Sequence, residues 1–281
     1  MPLFPILYGL IGLIIGSFLN VCIYRLPRGE SVVFPRSHCI GCGAMIRPYD
    51  NIPLISFLLL GGKCRSCKAP ISFQYPAVEL LTGVAFFVCA QTWGLKGPTF
   101  VNSLFIAALI VLVFIDYQHQ ILPNVITLPG IIVGIALSFF QSPDLYRDDP
   151  FSRPVASVFS AQDPPAALPV IAAILGAASA AGLLYAVSFI YKRLRKVEGL
   201  GMGDVKMMAM VGAFLSWRLA LLTIMIGSVL GSLVGIFLIL FRGRSMQSKL
   251  AFGTFLGSGA VVALFFGIRF LEWYYTLTLN R

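Results

Sequence analysis

From Leu219 to Phe241 the chain runs 23 residues without one charged side chain. As a helix that stretch is about 34 Å long, enough to cross the roughly 30 Å hydrocarbon core of a bilayer. In lipid every backbone polar group must be satisfied internally, which leaves a helix or a closed barrel. Leu3–Tyr24, Ala77–Leu95, Ala166–Tyr191 and Leu250–Leu271 are apolar runs of similar length, and Phe100–Ile115, Val125–Phe140 and Val205–Trp217 are shorter ones. Only 11% of residues are charged, against about 25% in a soluble domain. The expectation is an all-α polytopic membrane protein with about eight transmembrane helices.

The basic residues set the orientation. Arg25 and Arg28 follow the first run at once, which places that end in the cytoplasm and the N-terminus outside. No Lys or Arg precedes the run, and it is long for a signal-peptide core, so a retained anchor is expected rather than a cleaved signal. With eight spans, 15 of the 21 Lys and Arg fall on the cytoplasmic side and 6 outside. The net charge of +10 therefore reads as topology rather than as a nucleic-acid surface. Lys192, Arg193, Arg195 and Lys196 mark one cytoplasmic end, and Arg242, Arg244 and Lys249 mark another. Gln141–Pro165, with Asp144, Asp148, Asp149 and Asp163, reads as an external loop without site chemistry. Ser17 and Asn20 are expected to hydrogen-bond across helices, and Gly227, Gly231 and Gly235 to admit a close neighbour. Trp273, Tyr274 and Tyr275 fit an interfacial aromatic belt.

Residues 26–76 break the apolar pattern and read as a small cytoplasmic domain inserted after the first helix (1–25), with a seven-helix membrane domain following (77–281). Inside it stand Cys39-x-x-Cys42 and Cys64-x-x-Cys67. Paired C-x-x-C knuckles some twenty residues apart are the spacing of a tetrahedral zinc site. Disulfides are foreign to the cytoplasm, and a redox dithiol needs one pair, not two. Four protein ligands leave no open position, so the zinc is expected to be structural. His38 is taken as a neighbour only. Cys22 and Cys89 lie within apolar runs and read as packing residues.

Two acids stand out against so apolar a background. Asp116 ends the third run, and Asp204 sits in Gly201-Met202-Gly203-Asp204 at the head of the sixth. The topology puts both at the cytoplasmic edge of the membrane, where they suggest an acid/base pair. An acid at the C-terminal end of a helix meets the unfavourable end of the dipole, so Asp116 has little structural reason to be there. Glu79 reads as a carboxylate in the first turn of its helix, favoured by the dipole. Lys206 reads as a lysine snorkelling at the membrane edge.

Taken together, these motifs resemble the bacterial type IV prepilin peptidases, leader peptidases and N-methyltransferases of the GxGD-type aspartic membrane proteases. The resemblance covers nearly the whole chain. It rests on Gly16-Ser17-Phe18-Leu19-Asn20-Val21 with Tyr24-Arg25-Leu26-Pro27, the double C-x-x-C around Asn51-Ile52-Pro53, Tyr75-Pro76-Ala77-Val78-Glu79, Asp116 with Pro123-Asn124 and Thr127, and Gly201 to Lys206. Asn124 departs from the Asp common there, and Ala251 and Thr254 stand where prolines are usual. The resemblance implies Asp116 and Asp204 as the catalytic acids and Cys39, Cys42, Cys64 and Cys67 as zinc ligands. It implies cleavage of prepilin and pseudopilin leaders between Gly and Phe at the cytoplasmic face of the inner membrane. It also implies methylation of the exposed Phe amine from S-adenosylmethionine, whose binding residues the sequence does not disclose. The partners so implied are pilin substrates and membrane lipid, with no nucleic acid and no particular oligomeric state. A peptidase without methyl transfer, and an ion-coupled transporter with a regulatory zinc domain, are the competing readings.

Overall fold

The computed structural model describes residues 3–142, 168–196, 199–242 and 251–279. Among them are eight α-helices and no strands: α1 Leu3–Arg25, α2 Ile55–Leu59, α3 Gln74–Trp93, α4 Gly97–His119, α5 Asn124–Leu137, α6 Leu168–Arg195, α7 Met202–Arg242 and α8 Phe252–Leu279. Six of these are long and apolar enough to cross a membrane, and Asn124–Phe140 is a shorter apolar stretch. α7 is broken at the buried Ser216, whose φ of 64° and ψ of 170° are not helical. The sequence placed this division two residues later, at Arg218. Counting both halves of α7 and the short stretch gives eight apolar helical segments in the expected order. Asp144, Asp148, Asp149 and Asp163 of the expected external loop, and the 243–250 part of the expected basic loop, lie outside the described residues.

The chain divides into two compact units, the first ending at Ile115 and the second beginning at Asp116. In the first unit α1 lies against α3 through a row of small residues. A Cβ at Gly12 would stand 2.8 Å from the Phe86 Cβ, and one at Gly16 would stand 2.7 Å from the Glu79 Cα. Glycine there lets the two backbones approach, and dispersion contacts rather than the hydrophobic effect hold helices together in lipid. Tyr8 extends the seam by stacking on Phe86 at 5.3 Å. Ile6, Leu10, Ile14 and Phe18 stay exposed on α1, an outward apolar face suited to lipid.

Residues 26–73 carry only short turns, α2 and two isolated bridges, His38 to Met45 and Lys63 to Pro70. The bridges frame two similar loops. Cys39 and Cys64 each donate N–H to an alanine five residues on, Ala44 and Ala69. The residue after each second cysteine is left-handed, Gly43 at φ 70° and Lys68 at φ 60°. The Arg65 guanidinium ties the second loop to Asp50, with Nη2 to Oδ1 at 2.6 Å and Nε to Oδ2 at 2.9 Å. That pairing holds the Asp50 carboxyl below the usual carboxylate range.

In the second unit α7 is the central element. Its N-terminal half crosses α6 where Gly212 meets Gly176, so closely that a Cβ on either would collide with the carbonyl of the other. α5 packs on the same half, with Gly130 over Met210 and Gly134 over Phe214. The C-terminal half carries α8. Gly227 sits against Leu256 and Gly231 against Phe255, which is the close approach the glycine spacing predicts. The break at Ser216 disturbs the backbone ladder, and the Gln141 side chain donates Nε2–H to the Phe214 carbonyl at 3.2 Å. A carbonyl without such a partner would be costly in this apolar setting.

Candidate functional site

α4 does not stop at Asp116 but continues to His119, and the Gln120 N–H closes the last turn on the Asp116 carbonyl at 2.8 Å. Asp116 is thus inside the final turn of a helix, 5% exposed. Its carboxyl points to the start of α8, where both the backbone N–H of Thr254 (2.6 Å) and the Thr254 hydroxyl (3.0 Å) donate to Oδ2. The unfavourable position at the end of one helix is offset by the favourable N-terminus of another, where unpaired N–H groups and the dipole accept an anion.

Asp204 is in the first turn of α7, 8% exposed. Its N–H bonds the Gly201 carbonyl at 3.1 Å. The Asp116 carboxyl is close enough to act on it electrostatically. Leu122, in the link between α4 and α5, lies between the two motifs. A Cβ at Gly203 would stand 3.0 Å from the Leu122 Cβ, and a Cβ at Gly253 would stand 3.0 Å from both the Leu122 Cδ1 and the Asp116 Oδ2. Gly203 and Gly253 are therefore small so that the start of α7, the start of α8 and the Asp116 carboxyl can crowd around one leucine. The Lys206 ammonium donates to the Asn124 Oδ1 at 2.9 Å, which gives that lysine a definite partner across α5 and α7.

Two residues here escape a reading of the sequence alone. Thr254 looks like a simple replacement of a usual proline, but it supplies both donors to Asp116. A Thr four residues after the start of an apolar run is a signal of helix N-terminal hydrogen bonding. Leu122 carries no signal at all, because one leucine among many is invisible to pattern reading.

In the first unit the sulfurs of Cys39, Cys42, Cys64 and Cys67 all lie within 4.8 Å of one another, and none forms a disulfide. The Cys39 and Cys67 sulfurs are 3.8 Å apart, far beyond the roughly 2.05 Å of an S–S bond. Backbone N–H groups of Cys67 and Ser66 pull the Cys64 thiol down to about 6. The Ala69 N–H works the same way on Cys67, but the neighbouring thiols of Cys42, Cys64 and Cys39, with some desolvation, outweigh it and push Cys67 up to about 11. Four sulfurs this close do not all ionise unless a cation stands among them. The cluster could hold one metal ion. His38 is outside it, its ring nitrogen Nδ1 lying 3.2 Å from the Arg36 carbonyl.

Glu79 departs from its expected place. α3 starts at Gln74, so Glu79 is beyond the first turn and has no helix-end N–H to accept. Instead Oε2 accepts the Leu54 N–H at 2.9 Å, with the Ser17 hydroxyl beside it. Asn20 bonds across helices as expected, Nδ2 reaching the Tyr75 carbonyl at 3.0 Å.

Residues 10–93 match the family described as Bacterial Peptidase A24 N-terminal domain, and residues 103–236 match the Type IV leader peptidase family. The chain is 38% identical over 244 residues to a protein of Myxococcus xanthus named prepilin leader peptidase/N-methyltransferase, an alignment covering 87% of this chain and 66% of that one. It is 32% identical over 288 residues to one of the same name from Pseudomonas aeruginosa, covering 94% and 91%. A third, from Aeromonas hydrophila, is 32% identical over 295 residues, covering 95% and 92%. No solved structure matches the chain.

Proposed function

The chain belongs to the type IV leader peptidase family, and from that premise we propose that it removes the leader of type IV prepilins and methylates the new N-terminus. Its substrates on this reading include the pseudopilins of type II secretion, cut between Gly and Phe. The observation that carries the peptidase half is the pair of buried carboxyls, Asp116 from the end of α4 and Asp204 from the start of α7, near enough to act on one another. One ionised carboxylate takes a proton from water, and the other, protonated, donates to the scissile carbonyl and later to the leaving amine. Like charges this near do not both ionise readily, which splits the pair into an acid and a base. Thr254 fixes one oxygen of Asp116 and so orients the carboxyl.

Residues 26–76 form the zinc domain between the first helix (1–25) and the seven-helix protease domain (77–281) in this reading. Zinc suits the four thiols, since tetrahedral bonds of about 2.3 Å set sulfurs about 3.8 Å apart, the separation of the Cys39 and Cys67 sulfurs. The donor set leaves no open position, which makes the ion structural. The bias of Lys and Arg supports a multi-pass protein of the inner membrane with this domain in the cytoplasm. S-adenosylmethionine is the methyl donor the reading requires, and when bound it supplies an electrophilic methyl group.

The test is incubation of the purified protein with a leader-bearing pilin and S-adenosylmethionine, followed by intact mass of the product. The expected product has lost the leader and gained one methyl group. Asp116→Asn and Asp204→Asn each abolish cleavage, and the double change is no worse than either single one, because each acid serves both halves of the reaction. Leader removal that persists in Asp204→Asn overturns the aspartic mechanism. Cleavage without a methylated product leaves the peptidase and overturns the methyl-transfer half.

A further inference from the structure

α5 and α7 pack along one seam in the second unit. On α7 the seam runs through Phe214, Met210 and Lys206, spaced four residues apart and so stacked on one face. Phe214 lies against Gly134 and Met210 against Gly130. Lys206 ends the row, and its ammonium donates to the Asn124 Oδ1 at 2.9 Å. Asn124 is the first residue of α5, so this polar contact closes the seam at the end where Asp204 stands.

Both acids of the proposed peptidase sit where a helix ends. Asp116 is in the final turn of α4. Asp204 is in the first turn of α7, behind Gly199 and Gly201. Terminal turns lack part of the backbone ladder and open most readily. The separation of the two carboxyls therefore depends on side-chain ties between elements. Thr254 supplies one, from the start of α8 to Asp116. The Lys206–Asn124 bond supplies another. It joins the start of α7 to the head of α5, and only residues 120–123 separate that head from the end of α4. A Cβ at Gly203 would stand 3.0 Å from the Leu122 Cβ, so this link and the Asp204 turn already lie against each other.

A snorkelling lysine reaches for water, whereas Lys206 is turned onto α5. A cation near the start of a helix meets the unfavourable end of the dipole. No carboxylate offsets that for Lys206, since the one ion pair among the described residues is Arg65 with Asp50. Nor does Lys206 face Asp204, because residues two apart leave a helix on different faces. We propose that Lys206 and Asn124 are positioning residues of the peptidase: their bond locks the turn carrying Asp204 to the chain leaving Asp116, and so sets the separation of the two carboxyls. This rests on the peptidase half of the function proposed above. Neither residue takes a proton in the reaction, and both act through the acids they hold in place.

The experiment measures steady-state leader cleavage of a pilin by the purified full chain, comparing wild type with Lys206→Met, Asn124→Ala, the two changes combined, and Asn124→Asp. Met keeps the length of the lysine stem without its donor, and Ala removes the acceptor. Each single change is expected to lower kcat about tenfold with KM within about twofold, because misplaced acids lose transition-state contacts while the groups that bind substrate remain. The combined change is expected to be no worse than either single one, since both break the same bond. Asn124→Asp keeps an acceptor oxygen and is expected to recover most of the kcat that Asn124→Ala loses, which a general loss of packing would not allow. A wild-type kcat in Asn124→Ala overturns the tie, and a loss confined to Lys206→Met shows instead that its charge acts directly. Additive losses in the combined change overturn the tie as well. Where Lys206→Met fails to fold, the exposed Asn124 carries the test, and an Asn124→Asp no better than Asn124→Ala overturns the tie. A wild type that leaves the leader in place overturns the peptidase reading itself, whereas wild-type cleavage with unchanged variants overturns only the tie.

Discussion

Thr254 shows how much one side chain decides at this site. It donates two hydrogen bonds to a single oxygen of Asp116, and bonds to a charged group are worth about 1.5–3 kcal/mol each. Thr254→Val keeps the shape and the backbone donor but removes the hydroxyl. It is expected to lower kcat for leader cleavage by about tenfold with little change in KM, since an acid held less well still leaves the groups that bind substrate unchanged. A kcat equal to wild type in steady-state cleavage assays would remove Thr254 from any positioning role. The residue scale is also where sequence reading was most exposed to error. Glu79 was expected in the first turn of its helix, but α3 begins five residues earlier. Its partner, the Leu54 N–H, comes from a loop 25 residues away, and no local pattern reports such a partner.

Among the elements, α7 carries the densest constraints. Its crossing with α6 is set by Gly176 and Gly212, where each glycine lies against the carbonyl of the other. Gly212→Ala inserts a methyl group where there is no space and forces the helices apart, at a cost of about 1–3 kcal/mol or more. The expected result is a lower thermal unfolding temperature in detergent and reduced activity. An unchanged unfolding temperature would show that the crossing relaxes freely. The division of α7 was legible because Arg218 interrupts the apolar pattern, but its position at Ser216 was not. A non-glycine residue at φ 64° has no composition signal, and it is held by packing and by the Gln141 bond to Phe214.

For the whole molecule, the two units carry separable tasks in the proposed function. The combined change Cys39→Ser with Cys64→Ser is expected to abolish metal binding, measured by elemental analysis of the purified protein, and to reduce methylation far more than leader cleavage. Full metal retention would refute the four-thiolate site, and equal loss of both activities would show that the units fold as one. Orientation is a second property of the whole chain. A cysteine introduced at position 195, in the basic last turn of α6, is expected to react with a membrane-impermeant thiol reagent only once the cytoplasmic face is exposed. Labelling from outside intact cells would invert the topology.

The sequence by itself determined the membrane class, the approximate number and order of helical segments, the four-cysteine cluster and the two acids worth attention. Each of these is written in local pattern: apolar length, basic flanks, C-x-x-C spacing, a carboxylate at the edge of an apolar run. Tertiary structure alone decided that Asp116 lies inside a helix and meets the start of α8, that Leu122 is what Gly203 and Gly253 make room for, and that Glu79 accepts the Leu54 N–H. Those facts depend on chain segments up to 138 residues apart, as Thr254 is from Asp116. Periodicity and spacing record which face of a segment is buried and which ligands are near in sequence. They do not record which distant backbone group arrives to satisfy a buried polar atom, and in an apolar protein that arrival is what makes a carboxylate tolerable and useful.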